Sequence, residues 1–379
     1  MKYFTPAVAL AALLAGVLSF SNMAQAQTSI DTVWSVDVDQ RLPNAPIALS
    51  SPAVVKHGDD TWLVLAGRDA WVHVYDLVSG DEVKRFFLGY PSDSGAVALG
   101  HGLVAFGDIK GHVNVVDPAK GEMVWQKSLS AYFTIIPQAI DGDFLIQTSD
   151  NEVYRFSPSG EKRWSYSGSK NTLSFYLSAE PLIHNDVVYA VQNNGDAVAL
   201  KAYTGDVLWK RQTIVSSVSA ALSDLKAPLA QPVYLPQLHL NGEQVKDALL
   251  VPIFQGDLVV LSATDGSQSF SLPISLKSRP LLLGQHMYMA DSHGFLHLYD
   301  IQDGHRLWSK KISSHALMGP VSFAGSLWLT DNQGHILRTN LDGELEASKS
   351  LKGQIARLPI VTEQGLVIRT DRGEMILVK

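Results

Sequence analysis

Seven times along this 379-residue chain an apolar run, a glycine-tipped turn, a second apolar run and another glycine turn follow one another, often ending in tryptophan. The unit reads most plainly as VVYAVQNNGDAVALKAYTGDVLW at 187–209 and LVAFGDIKGHVNVVDPAKGEMVW at 103–125. A unit of this size cannot bury its own apolar faces, so the repeats must stack on one another or close into a ring. The second turn of each unit ends at Gly80, Gly121, Gly160, Gly205, Gly266, Gly304 and Gly343, in steps of 41, 39, 45, 61, 38 and 39 residues. Steps of roughly 40–45 residues are the period of a four-stranded propeller blade. The one long step predicts an insertion of about twenty residues near 223–246.

The apolar runs, such as VVYAV at 187–191 and LLLG at 281–284, are nearly continuous. Strands exposed on one face alternate, whereas strands covered on both faces do not, so each sheet is predicted to lie between two neighbours. β-Branched and aromatic residues fill these runs and Gly or Asn-Gly turns punctuate them, which argues for strands rather than helices. The first turn recurs as Asp108-Ile-Lys-Gly111, Asn193-Asn-Gly195, Asp291-Ser-His-Gly294 and Asp331-Asn-Gln-Gly334. A short polar side chain opens it and glycine takes the positive-φ position. Pro52, Pro137, Pro181, Pro232, Pro280, Pro320 and Pro359 are predicted to open the innermost strands, where no ladder donor is needed.

Four residues beyond the second glycine stand Trp125, Trp164, Trp209 and Trp308, with Phe270 in the same place and Lys84 and Ala347 breaking the pattern. Large rings at such a spacing chiefly supply buried area, so these indoles, with Trp34, are expected between adjacent blades; stacking on a cofactor is the other reading. The chain ends at GEMILVK (373–379), a third strand with no fourth behind it, while Asp31-Thr-Val-Trp34 matches Asp206-Val-Leu-Trp209. The N-terminal strand is therefore predicted to complete the last blade. The fold expected is an all-β, eight-bladed propeller of four-stranded antiparallel blades, closed so that no sheet edge is left open. Seven blades is the alternative count.

Residues 1–26 read as a secretory signal peptide: Lys2 supplies the charge, Ala7 to Phe20 the apolar stretch, and Ala24-Gln25-Ala26 the cleavage site. An uncleaved anchor is the alternative. Residues 27–379 are expected to form one domain, soluble in the periplasm or peripheral to the outer membrane. The chain has no cysteine, which excludes structural disulfides, thiolate metal sites, covalent haem attachment and a lipid-bearing Cys after the leader. A formal charge of −7 with no Lys/Arg cluster works against nucleic acid or an anionic membrane surface as partner.

No constellation for chemistry stands out. His293 and His297, with His286 and His305 nearby, flank a turn glycine, and His112 and His335 follow theirs; solvated turn histidines are expected rather than metal ligands. There is no Gly-x-Ser-x-Gly elbow and no phosphate-cradling loop leading into a helix. Asp108, Asp117, Asp291, Asp300 and Asp331 sit at strand ends, where capping a turn explains them. No catalytic residue, cofactor or metal is expected.

The cadence of Asp117-Pro-Ala-Lys-Gly121-Glu-Met-Val-Trp125 and Tyr203-Thr-Gly205-Asp-Val-Leu-Trp209 resembles the repeat of quinoprotein-type (PQQ-like) propellers. That family includes dehydrogenases using pyrroloquinoline quinone and non-catalytic members that keep only the shape. The dehydrogenases resemble longer chains with adjacent cysteines and a calcium site, which this sequence lacks. In size and layout the chain is more similar to the BamB family, the scaffold of the outer-membrane β-barrel assembly machinery. The resemblance implies that the barrel-forming subunit is met by a Leu-x-Leu-Arg segment entering the fourth blade and an acidic segment entering the fifth. Leu173 and Asp224 match, Phe175 is a conservative replacement, Tyr176 stands for the arginine, and Lys226 for a second aspartate. An Arg-to-carboxylate contact would lose its bidentate donor at Tyr176, and Lys226 reverses a charge, so divergence toward a different partner is one implication. Interblade packing is the other reading of Leu173, Phe175 and Tyr176.

The function expected is a non-catalytic periplasmic scaffold that binds envelope proteins or their clients during outer-membrane protein assembly. The alternatives are a propeller that binds pyrroloquinoline quinone or a small ligand with oxidoreductase activity, and an adhesin or polysaccharide-associated module.

Overall fold

The computed structural model describes residues 29–39, 50–169, 178–214, 226–240 and 242–379. These form eight four-stranded antiparallel sheets, in seven of which the strands follow sequence order from the inside of the ring outward. Blade 1 comprises Ala53–His57, Asp60–Ala66, Trp71–Asp76 and Glu82–Phe87. Blades 2 to 7 repeat it, their innermost strands beginning at Val97, Gln138, Leu182, Val233, Leu281 and Leu317. Blade 8 takes Ile360–Thr362, Gly365–Arg369 and Glu374–Val378 from the C-terminus and Thr32–Asp37 from the N-terminus. Trp34 pairs with Leu377 and Val36 with Met375, so the ring is closed by a strand from the opposite end of the chain.

The middle strands of every blade are buried on both faces, for example Leu63, Val64 and Leu65, each 0% exposed. Near-continuous apolar runs are the consequence, because each sheet is covered by its two neighbours. Alternate residues of one strand face different blades: Val64 packs toward blade 2, while Leu63 and Leu65 join Trp34 and Met375 toward blade 8.

Antiparallel topology sorts the turns onto two faces. The turns between third and fourth strands lie on one; those between second and third strands, and the loops that lead into each blade, lie on the other. On the first face, tryptophan and glycine meet across every second-turn joint that has both. A Cβ on Gly80, Gly160, Gly205, Gly266 or Gly343 would fall within about 3 Å of Trp34, Trp125, Trp164, Trp209 or Trp308 respectively. The indole N–H of Trp34, Trp125, Trp164 and Trp209 donates to a backbone carbonyl of that same neighbouring turn, at 2.7–2.9 Å.

The exceptions have their own solutions. Lys84 lays its alkyl stem against Gly121 and donates its ammonium to the Ala119 carbonyl, as an amphipathic side chain can. Ala347 faces blade 8, whose outer turn is replaced by the incoming N-terminus, and Ile30 packs in the space that a ring would need. At Phe270 the expected insertion matters. Of 223–246, residues 223–225 and 241 lie outside the described residues; the rest falls largely in the first hairpin of blade 5, whose strands run long, Val233–Leu240 and Glu243–Pro252. Its tip reaches over blade 6, where the His239 N–H donates to the Ile301 carbonyl at 2.9 Å and the backbone of His239 and Leu240 covers Gly304.

Six of the seven prolines immediately precede an innermost strand. Pro320 differs: it lies inside the strand Leu317–Phe323, at a bulge where the register shifts between Met318 and Val321. A bulge also leaves one residue outside the ladder, so the missing N–H costs nothing there.

A buried chain of charge locks the closure. Arg369 of blade 8 pairs with Asp39, just beyond the N-terminal strand, and donates to the Ser50 carbonyl at 3.0 Å. Asp39 accepts the backbone N–H of Arg68 at 2.5 Å, and the Arg68 side chain pairs with Asp93 in the loop entering blade 2. Two guanidinium groups and two carboxylates alternate, so the buried charges are balanced.

Candidate functional site

The second face carries the polar turns. Asp108, Asp291 and Asp331 play one role in three blades: Oδ1 accepts two backbone N–H groups of its own turn, at 2.7–3.1 Å. Oδ2 receives a histidine, His112 and His335 through Nδ1 at 2.8 Å and His297 through Nε2 at 3.1 Å. Burial alone would raise the carboxyls of Asp291 and Asp331, but the histidine and backbone hydrogen bonds hold both below the usual carboxylate value. His293 and His297 both turn toward Asp291, at 4.0 and 3.1 Å, while His293 stays exposed. Among the described residues no three His, Asp or Glu side chains are grouped as metal ligands. Asp117 and Asp300 cap turns on the opposite face through backbone N–H groups.

Blade 1 varies the theme. His73 is buried between Asp69 (3.0 Å to Nε2) and Glu82 (2.7 Å to Nδ1). Burial lowers its pKa, yet the two carboxylates outweigh that and raise it above 6.5.

At the axis the loops entering blades 3 to 8 enclose a cavity of about 670 Å³. Its wall is mainly apolar, with Ile136, Leu229, Met318, Ile355 and Leu358 prominent. Five charged side chains reach it. Arg357 pairs with Glu180 at 3.4 Å and donates to the Thr134 carbonyl, joining the loops of blades 8, 4 and 3. Arg279 donates to Gln231 Oε1, whose amide in turn donates to the Pro181 carbonyl at 2.9 Å. Asp371 is engaged by the Gln354 N–H at 2.7 Å, and Lys277 lies over the Phe254 ring at 4.7 Å.

Leu173, Phe175 and Tyr176 belong to 170–177 and Asp224 to 215–225, all outside the described residues. Where those segments rejoin the ring is described. The first returns at Ser178 and reaches the cavity wall at Glu180. The second returns at Lys226, is fastened by the mutual backbone hydrogen bonds of Ala227 and Phe254 (2.7 and 3.1 Å), and reaches the wall at Leu229. The described residues that follow the two segments thus line one cavity. The cavity itself has no signature in the sequence, because its lining comes in short stretches from six blades whose segments lie far apart along the chain.

Residues 31–310, blades 1 to 6 together with the closing strand, match the family model described as outer membrane protein assembly factor BamB. The chain belongs to the BamB family. Its relatives include the outer membrane protein assembly factor BamB of Burkholderia pseudomallei, 25% identical over 362 residues that cover 91% of this chain and 86% of that protein. The crystal structure of BamB from Moraxella catarrhalis superposes with a TM-score of 0.75 at 16% identity, covering 92% of this chain and 99% of that one. A quinohemoprotein alcohol dehydrogenase from Pseudomonas putida HK5 also superposes, with a TM-score of 0.70 at 11% identity over 92% of this chain and 76% of that chain. The last likeness is one of fold. BamB membership is consistent with the propeller architecture, and at family level the BamB relatives support a scaffold role in outer-membrane assembly.

Proposed function

We propose that this BamB-family chain is a non-catalytic periplasmic scaffold, acting in outer-membrane protein assembly through 170–177 and 215–225. The observation that carries the reading is family membership: the match to BamB proteins extends over 91% of the chain rather than over one repeat. The ring supports it physically. Blades pinned by indole–glycine contacts and a buried charge chain form a rigid frame, and binding loops on a rigid frame lose little entropy when they dock.

Leu173 and Asp224 are assigned to partner contact, with Phe175 and Tyr176 beside Leu173. The barrel-forming subunit of the assembly machinery, or a client polypeptide, is the partner proposed. Photo-crosslinking from positions 173 and 224 in intact envelopes tests this. Enrichment of assembly-machinery subunits, lost in Leu173→Glu and Asp224→Lys, is expected. No enrichment, together with dye-linked oxidation of alcohols by the purified protein, would replace the scaffold by an enzyme.

A further inference from the structure

The axial cavity does not end at its own wall. A second, more open hollow of about 600 Å³ lies between blades 5 and 6, and the two share Phe254, Lys277, Ala316 and Asn332. The charges around the axial cavity are not equally committed. Arg357 is offset by Glu180, Asp371 is held by a backbone N–H, and Arg279 lies at the exposed rim bound to Gln231. Lys277 is different: among the described residues no carboxylate lies within ion-pair distance of it, and its neighbour is an aromatic face. Half-buried in that setting, its ammonium loses hydration without gaining a counter-ion, and burial lowers its pKa from 10.5.

Asn332 lines both hollows beside Lys277. Its amide carries two N–H donors that a carboxylate can accept. Apolar walls, a volume within the roughly 300–1,000 Å³ of small-ligand sites, and a few converging polar groups are what a ligand pocket requires.

We infer that this cavity binds an apolar anion: an aliphatic or aromatic body among Ile136, Met318 and Leu358, with one carboxylate between the Lys277 ammonium and the Asn332 amide. The inference does not rest on the proposed contact segments and would stand if their assignment failed. A carboxylate on an apolar body can come from two sources, a long-chain fatty acid or the free C-terminus of a peptide ending in apolar residues.

Titration calorimetry on the mature protein separates them, with dodecanoate against dodecanol, and an apolar hexapeptide with free against amidated C-terminus. Saturable binding of at least one carboxylate, about tenfold or more tighter than its uncharged counterpart, is expected. Lys277→Gln should remove that preference and Lys277→Arg should keep it, while Ala316→Trp, which fills the shared wall, should abolish binding of body and charge alike. Dodecanoate binding alone assigns the site to fatty acids, and free-peptide binding alone to polypeptide ends. Equal affinity for charged and uncharged forms, or a preference that survives Lys277→Gln in a variant with unchanged circular dichroism, overturns the inference.

Discussion

The indole of Trp34, on the outer strand of blade 8, lies against Gly80 of blade 1, where a Cβ would fall 2.6 Å from ring carbons Cγ and Cδ2. The same indole N–H donates to the Leu77 carbonyl at 2.9 Å. One residue from the N-terminal strand thus fastens blade 8 to blade 1, and the identical contact recurs with Trp164 on Gly205 and Trp209 on Gly266. Glycine is needed there twice over, for its positive φ (+77° at Gly80) and for the missing side chain.

Those two requirements can be separated. Gly142 has nearly the same backbone angle (φ +80°) but open space where a Cβ would point. Gly142→Ala should cost only the left-handed backbone penalty, about 1–2 kcal/mol. Gly80→Ala should cost that plus displacement of the ring, a further ~1–3 kcal/mol. Urea unfolding midpoints of the two variants, at unchanged m, measure the difference; equal losses would mean that the ring moves aside freely.

The charge chain at the closure makes a second test. In Asp39→Asn the amide oxygen still accepts the Arg68 N–H, but the Arg369 guanidinium keeps its burial and loses its counter-charge. Breaking a buried pair from one side costs about 3–5 kcal/mol. Asp39→Asn combined with Arg369→Gln should recover part of it, because the orphaned charge is gone. A double variant no more stable than the single one would show that Arg369 is neutralised by other means.

How far these features were legible in the sequence depends on how local they are. The glycine period, the turn chemistry and the match of Asp31–Trp34 to Asp206–Trp209 are short-range patterns, and they sufficed for the blade count and the closure. That Trp164 rests on Gly205 is a contact across a whole blade, and no periodicity names the partner. Pro320 reads like the other prolines in sequence; only the ladder reveals that it sits at a bulge. The cavity was illegible for the reason that makes it a site. Ile136, Leu229, Met318 and Leu358 are ordinary apolar residues of entry loops and an inner strand, and only ring closure brings them together.

His73 makes stability depend on pH. Its folded pKa lies above 6.5, because the Asp69 and Glu82 hydrogen bonds outweigh burial. A raised value means that the folded state holds the proton more tightly than the unfolded chain. The contribution is therefore fully present below 6.5 and fades as pH rises through the folded value. Comparing the protein with His73→Gln, the stability gap should be widest near about pH 5 and narrow steadily above neutrality. A gap constant across that range would mean that His73 is neutral in the fold.

The lengthened hairpin of blade 5 carries the last prediction. Leu238 and Leu240 are fully buried, in a cluster with Met287 and Tyr299 of blade 6, although both sit on a segment that the repeat period treats as extra. Blade 5 carries Phe270 where Trp209 and Trp308 stand in its neighbours, and Gly304 is covered by the backbone of His239 and Leu240 instead. The insertion is thus a substitute for the indole at this joint. Leu240→Ala should cost about 2–5 kcal/mol, as for a fully buried leucine in a core. Gly304→Ala must push against backbone at 2.8 Å rather than against a ring, and backbone yields less than a side chain. It should therefore lower the thermal midpoint more than Gly80→Ala does. If Leu240→Ala were silent, the hairpin would be an appendage, and the joint between blades 5 and 6 would rest on Phe270 alone.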